Sequence, residues 1–175
     1  YENICAAIAA TSGLVDSQIQ AKAICEFKGV EHRLEFVREL DGVKWYNDSI
    51  GTSPTRTIAG LNSFKEKIVL IAGGYDKNLD YTPLAKPILK KVSKLILFGA
   101  TSRKIYDALM QEIVDTDIVF PVYHCQNLKQ CVDRARKYAA PGEVVLFSPA
   151  SASFDMFKNF EERGEKFKEL VNNLE

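Results

Sequence analysis

The sequence predicts an α/β fold: a mostly parallel sheet with helices on both faces, an initial β-hairpin, and two helices in front of it. Three observations predict it. Short apolar runs such as Lys67 to Ala72 and Leu95 to Phe98 have the composition of strands buried on both faces. Stretches with apolar residues at helical spacing alternate with those runs, and parallel neighbours need such helical crossovers. Asp41-Gly42, between two stretches of period two, is the two-residue turn of a hairpin.

Taken in order, Glu2 to Ser12 is Ala-rich with apolar residues at helical spacing, and Gly13 supplies its left-handed stop. Asp16 to Phe27 repeats the design, with Asp16 as N-cap and Ile19, Ala23, Ile24 and Phe27 on one apolar face. Gly29 breaks the pattern and from His32 the period becomes two, so a domain boundary is expected between Lys28 and Glu31, dividing residues 1–31 from residues 32–175. Arg33 to Leu40 and Val43 to Asn47 are the hairpin strands. Ser53-Pro54, a cap followed by a proline at the first helical position, opens a helix to about Ser63. Lys67 to Ala72 is a strand ending in Gly73-Gly74, and a helix runs from Thr82-Pro83 to Val92, shortened or bent by Pro87. Leu95 to Phe98 is the next strand, Thr101 caps a helix to Val114, and Ile118 to Val122 is a strand. Asn127 to Ala139 is helical, Glu143 to Phe147 is a strand after the Pro141-Gly142 turn, and Ser153 to Leu174 is largely helical. Ligands of open sheets gather at the carboxyl ends of the strands, here residues 48–53, 73–77, 99–101 and 148–153.

With 175 residues, 46% of them apolar, the chain is long enough for one packed domain and a short appendage. Its 23 basic and 23 acidic residues cancel, so no overall field holds nucleic acid or an anionic membrane. No apolar run is of bilayer length and no leader opens the chain, which makes the cytoplasm the expected location. The four cysteines lack CxxC spacing, and Cys5 and Cys25 sit in apolar helical patterns, as packed, reduced thiols would. Tyr1 already lies inside a helical pattern, the expectation for a fragment.

Three loops have the chemistry of a site. Asn47-Asp48-Ser49-Ile50-Gly51-Thr52-Ser53 offers a carboxylate for ribose hydroxyls, and hydroxyls with helix amides for a small anion; a turn rich in cap residues has the same composition. Gly73-Gly74-Tyr75-Asp76-Lys77 sets a cation after a sharp turn, free to meet a carboxylate, a phosphate or only solvent. Ser148-Pro149-Ala150-Ser151-Ala152-Ser153 precedes the last helix, where Ser153 either binds an oxygen ligand or simply caps. Phe154, Phe157 and Phe160 recur at helical spacing and read as core. Arg33 offers a fork to a phosphate or to a surface carboxylate, and His124 has no companion at metal-ligand spacing.

Asn3, His32-Arg33-Leu34-Glu35, Asn47-Asp48-Ser49, Thr52, Gly73-Gly74, Lys77 and the long segment from Ser148 to Gly164 occur in the order found in the Mur ligases. The closing segment resembles the branch that adds D-glutamate. The resemblance implies a Rossmann-like carboxy-terminal domain at residues 32–175, preceded at 1–31 by the tail of a central ATPase domain. It implies an ADP-forming ligase of peptidoglycan synthesis that uses ATP and magnesium to turn a substrate carboxylate into an acyl phosphate, which the incoming amine attacks. D-glutamate, ATP, UDP-N-acetylmuramoyl-L-alanine and the remaining domains of the same protein would be the partners. Asn3 would contact adenine, Arg33 the ATP phosphates and Asp48 the ribose. Lys77, also the expected catalytic residue, and Thr52 would hold the α-carboxylate of D-glutamate, and Ser153 with the Phe160 amide its side-chain carboxylate. The sequence departs from the complete family pattern in having no GxxxxGK[ST] loop and no magnesium-binding glutamate segment. The metal is thus expected on the central domain and the chain alone is expected to be inactive. Ile50 stands where several relatives have a basic residue. By the residues alone, a free-standing α/β module for nucleotides or anions remains open, and a protein-interaction domain finds little support.

Overall fold

A computed structural model describes residues 2–27 and 29–175; of the stretch expected to hold the boundary, Lys28 lies outside the described residues. The chain forms two compact units, one up to Val30 and the other from Glu31 to Glu175.

The first unit is a pair of helices, α1 (Glu2–Thr11) and α2 (Ser17–Glu26). Gly13 takes the left-handed conformation between them (φ 78), and the Asp16 side chain caps α2 by accepting from the Gln18 amide. Gln20 Nε2 donates to Thr11 Oγ1 at 2.7 Å, joining the two helices. Cys5 and Cys25, expected to pack, are instead exposed, as are Ile19 and Phe27. Two helices of ten residues each cannot enclose both of their apolar faces, and α2 buries no residue.

In the second unit, β1 (Glu35–Leu40) and β2 (Val43–Asn47) form the antiparallel hairpin, turning at Asp41 (φ 50) and Gly42 (φ 74). There follow α3 (Pro54–Asn62), β3 (Ile68–Gly73), a 3-10 turn (Thr82–Leu84), α4 (Ala85–Lys91), β4 (Val92–Phe98), α5 (Ser102–Ile113), β5 (Val122–His124), α6 (Leu128–Tyr138), β6 (Val144–Phe147) and α7 (Phe160–Asn172). The six strands lie in the order β1-β2-β6-β3-β4-β5, with every pair after the hairpin parallel. Period two sorts the apolar residues onto the two faces. Ile68, Leu70, Ala72, Leu95, Leu97, Val144 and Leu146 face Leu61, Ile88, Ile105 and Leu109 of α3, α4 and α5. Val69, Ile71, Ile96, Phe98, Val145 and Phe147 face Leu128, Val132, Phe167 and Val171 of α6 and α7.

Several expected boundaries move, among them the strand expected from Leu95, which begins at Val92. The first strand begins at Glu35, because His32 and Leu34 adopt positive φ (61 and 46) and residues 32–34 form a turn. Pro87 falls in the first turn of α4, where its missing N–H costs nothing, and the helix is divided from the 3-10 turn before it. The strand expected at Ile118 to Val122 begins only at Val122: Pro121 has no donor for the ladder, and Val119 stays 94% exposed. The last helix begins at Phe160, because Asn159 is its cap, accepting from the Glu162 amide at 2.8 Å. Ser153 is therefore not a cap, and Phe154, outside the helix, is exposed where core was expected. Thr101 occupies the N-cap position of α5 without a side-chain capping bond; its hydroxyl is engaged elsewhere.

Candidate functional site

β2, β6 and β3 are consecutive in the sheet and parallel, so the loops that follow them, at residues 48–53, 148–159 and 74–81, leave from one edge side by side. The antiparallel hairpin brings the start of β1 to the same edge, since Glu35 pairs with Asn47. That register places His32-Arg33-Leu34 against the loop after β2, where the Ile50 amide donates to His32 O and the Leu34 amide to Asp48 Oδ1 (both 3.2 Å). Opposite faces are taken by the chain leaving β3, toward α4, and the chain leaving β6, toward α7. Such a divergence opens a crevice at the carboxyl edge of a sheet.

Arg33 is exposed at this edge, and Thr52 is half-buried in the loop after β2. Asp48 is buried, and its second oxygen accepts from Ser148 Oγ at 2.6 Å. Burial, the largest influence, raises its pKa, opposed by the Ser148 and Leu34 hydrogen bonds and by Arg33 and Arg56 nearby. Gly51 has to be glycine, since a Cβ there would lie 2.7 Å from both Asp48 Oδ2 and Ser148 Oγ. Ser153 is buried midway along the loop after β6. Phe160 is the first residue of α7, whose leading amides have no partner within the helix, and the Asn159 side chain serves the Glu162 amide, not that of Phe160. Lys77 is exposed on the loop after β3, its ammonium 5.5 Å from the centre of the Phe154 ring. Asn3 lies exposed on α1, in the first unit.

Sequence reasoning gave no role to the residue that ties these loops together. Arg163, on the inward stripe of α7 with Gly164, Phe167 and Val171, is fully buried. Its Nη1 donates to the Ser151 and Ala152 carbonyls (3.1 and 2.8 Å), its Nη2 to Ser49 O (2.8 Å) and its Nε to Ser49 Oγ (3.0 Å). Ser49 Oγ in turn donates to Phe160 O at 2.8 Å. One guanidinium thus fixes the loop after β2, the loop after β6 and the start of α7, using only neutral acceptors. Burial pulls its pKa down to about 10, so it remains charged at neutral pH. The signal was present in the sequence: an arginine at an inward helical position.

His32 is likewise buried, its ring edge-on to Phe160 at 6.0 Å. The Ser49 amide donates to Asn47 Oδ1, so Asn47 Nδ2 donates to Glu35 Oε2 and to His32 Nδ1. The imidazole proton therefore sits on Nε2, which faces Glu165 at 3.7 Å. Glu31, His32 and Glu165 are the one group of metal-ligand type among the described residues. They do not fit a metal: the imidazole nitrogen on that side carries a proton, and Lys168 Nζ already lies 2.7 Å from Glu165 and 2.5 Å from Glu31. Magnesium, which prefers oxygen ligands in octahedral array, finds no such set there.

The family described as Mur ligase, glutamate ligase domain, has a model that matches residues 32–151. Among curated proteins, the chain is 54% identical over 178 residues to the UDP-N-acetylmuramoylalanine--D-glutamate ligase of Acetivibrio thermocellus, covering 99% of this chain and 38% of that protein. It is 51% identical over 173 residues to the ligase of the same name from Clostridium novyi, again covering 99% and 38%. The chain thus spans well under half the length of these relatives. Among solved structures, it resembles MurF ligase from Thermotoga maritima in complex with ADP (TM-score 0.61, 19% identity, 97% of this chain and 38% of that one). It also resembles Escherichia coli FolC in complex with ADP (TM-score 0.64, 16% identity, 95% and 37%). At such identities these two likenesses concern the fold.

Proposed function

The chain belongs to the Mur ligase family, and from that premise we propose that it is the carboxy-terminal, ATP- and D-glutamate-contacting part of the ADP-forming ligase that adds D-glutamate to UDP-N-acetylmuramoyl-L-alanine. The names of its relatives at 47–54% identity support this choice of amino acid. The observation that carries it is the convergence of Asp48, Thr52, Ser153 and the Phe160 amide on one edge of three adjacent strands, with Lys77 on the loop beside them. In this reading Thr52 and Lys77 hold the α-carboxylate of D-glutamate, while Ser153 and the Phe160 amide hold its side-chain carboxylate. Both carboxylates are then fixed, and the amine is presented to the activated substrate. Arg33 meets the ATP phosphates and Asp48 the ribose. Bound ATP with magnesium would supply the activation of the substrate carboxylate. We assign the metal, and with it that step, to the remaining domains of the protein. We take residues 1–31 as the tail of the central ATPase domain and 32–175 as the carboxy-terminal domain, a division supported by the break between compact units at Val30 and Glu31. No helix among the described residues is long and apolar enough to cross a membrane, and we place the enzyme in the cytoplasm with its nucleotide substrates. The test is product formation by the full-length protein, given ATP, magnesium and UDP-N-acetylmuramoyl-L-alanine with D-glutamate, L-glutamate or meso-diaminopimelate. Amide formation with D-glutamate alone is expected; preference for another amino acid sinks the assignment.

A further inference from the structure

Lys77 follows Tyr75, which forms an isolated antiparallel bridge with Ala152, and its neighbours are held by two different sets of partners. One set meets Tyr75 and Lys77. The Tyr75 amide donates to Ala152 O at 2.9 Å, and both the Tyr75 ring and the Lys77 ammonium lie against Phe154. The other set meets Gly74, Asp76 and Asn78, and all three are held by α5. The Gly74 amide donates to Thr101 Oγ1 and the Thr101 amide to Gly74 O, both at 3.0 Å. Lys104 Nζ lies 2.6 Å from Asp76 Oδ2 and donates to Asn78 Oδ1 at 3.3 Å. Asp76 Oδ1 accepts from the Asn78 amide at 2.7 Å, which bends the chain through Asn78 at φ 58. Thr101 and Lys104 are three residues apart at the start of α5, so one helical turn puts them on one face.

We propose that Thr101 and Lys104 are positioning residues for Lys77: Thr101 fixes the backbone before it, and Lys104 fixes the residues on either side of it. The inference rests on the role proposed above for Lys77. It also has an electrostatic part. Asp76 is the carboxylate that precedes Lys77 in the sequence. Lys104 occupies that carboxylate, and its hydrogen bond is the main reason the Asp76 pKa lies below the ordinary carboxylate value. The Lys104–Asp76 pair thus anchors the residue before Lys77 to α5, while the Lys77 ammonium lies over the Phe154 ring. The hold on the Thr101 side is buried and continues inward, from Thr101 Oγ1 to Ser151 Oγ at 2.8 Å and from Ser151 Oγ to Tyr81 Oη at 2.9 Å. The loop that carries Ser153 and the loop that carries Lys77 thus share one hydroxyl chain.

The test uses the full-length ligase and the variants Lys104→Ala, Lys104→Arg, Thr101→Val, Thr101→Ser and Lys77→Ala. Lys104→Ala should raise KM for D-glutamate about threefold, the range of a partly exposed ion pair, with kcat within a factor of about two and KM for ATP unchanged. Lys104→Arg should restore the KM. Thr101→Val should act in the same direction and more strongly, because it leaves the buried Gly74 amide without an acceptor, and Thr101→Ser should recover most of the loss. Amide hydrogen exchange should quicken at Tyr75 to Asn78 in Lys104→Ala and stay slow in β3. If Lys77→Ala raises KM for D-glutamate while Lys104→Ala changes neither that KM nor the exchange, the inference is overturned and the proposed function stands. If Lys104→Ala lowers kcat and raises both KM values together with a fall in Tm, its role is merely structural and the inference is again overturned. If Lys77→Ala itself leaves D-glutamate kinetics unchanged, both fall. Should Thr101→Val fail to fold, the exposed Lys104 variants decide alone.

Discussion

Arg163 is costly to bury, and the structure repays it with four hydrogen bonds to Ser49, Ser151 and Ala152. Arg163→Ala would leave those acceptors unsatisfied and open a cavity between the loops. The two effects together predict a loss of about 3 to 5 kcal/mol, read as a lower denaturation midpoint in urea at unchanged slope. Arg163→Lys should recover only part of it, since a lysine cannot present a planar fork to three directions at once. A loss under about 1 kcal/mol for Arg163→Ala would mean that the loops hold themselves. Asp48 makes a second prediction, whose sign follows from burial. Its folded pKa is raised above the ordinary 3.8, so the fold favours the protonated form. The stability it contributes is full below the unfolded value and is lost as pH rises through the folded one. Asp48→Asn removes that titration and can still accept from the Leu34 amide. The Tm difference should therefore move in favour of the Asn variant as pH rises from about 4 to neutrality. The opposite trend would show that the hydrogen bonds from Ser148 and Leu34, not burial, dominate at this carboxylate. Asp48→Asn should also raise KM for ATP, which separates its stability role from its binding role.

Helix α7 illustrates how one position can invert a general rule. Ala in place of Gly within a helix gains about 1 kcal/mol, but a Cβ at Gly164 would lie 2.2 Å from His32 Nδ1 and 3.1 Å from Asn47 Nδ2. Overpacking of that kind costs about 1 to 3 kcal/mol, so Gly164→Ala should lower Tm and push the His32 ring away from Phe160. A rise in Tm would show that the helix has room there. The elements that could be read from the sequence are those with a local cause: the Asp41-Gly42 hairpin, the apolar runs of β3, β4 and β6, the Asp16 cap and the Pro54 start of α3. Of those misread, one depends on a strand partner distant in sequence and another on a local cap. Ile118 to Phe120 has strand composition, yet the ladder on β4 is taken by Val122 to His124. Residues 153–159 have helical spacing, yet Asn159 delays the helix by capping it. The site was legible as loops and not as a network. Asp48, Lys77 and Ser153 stand in conspicuous polar segments, whereas Arg163 and His32 earn their importance from buried contacts that only the fold brings together.

The second unit encloses two apolar layers, one on each face of its sheet, and needs nothing from the first unit to complete either. Amide exchange should accordingly be slowest in β3 and β6 and fast throughout α1 and α2; equal protection of α2 and β3 would contradict this ranking. In the proposed reading, the carboxyl edge of the 145-residue second unit presents hydroxyls, the exposed Lys77 and the Phe160 amide to an amino acid. Whether that edge divides its labour between two ligands is the central claim. The measurement is steady-state kinetics of Lys77→Ala, Ser153→Ala and Asp48→Ala in the full-length ligase, with both Michaelis constants determined for each and folding checked by circular dichroism. Lys77→Ala should weaken use of D-glutamate by about 2 to 5 kcal/mol, the cost of stranding a charge in a closed site, and leave KM for ATP near its original value. Ser153→Ala should act alike at about 0.5 to 1.5 kcal/mol, and Asp48→Ala should raise KM for ATP. Unchanged D-glutamate kinetics in Lys77→Ala, or an effect of Asp48→Ala on D-glutamate alone, would contradict the account.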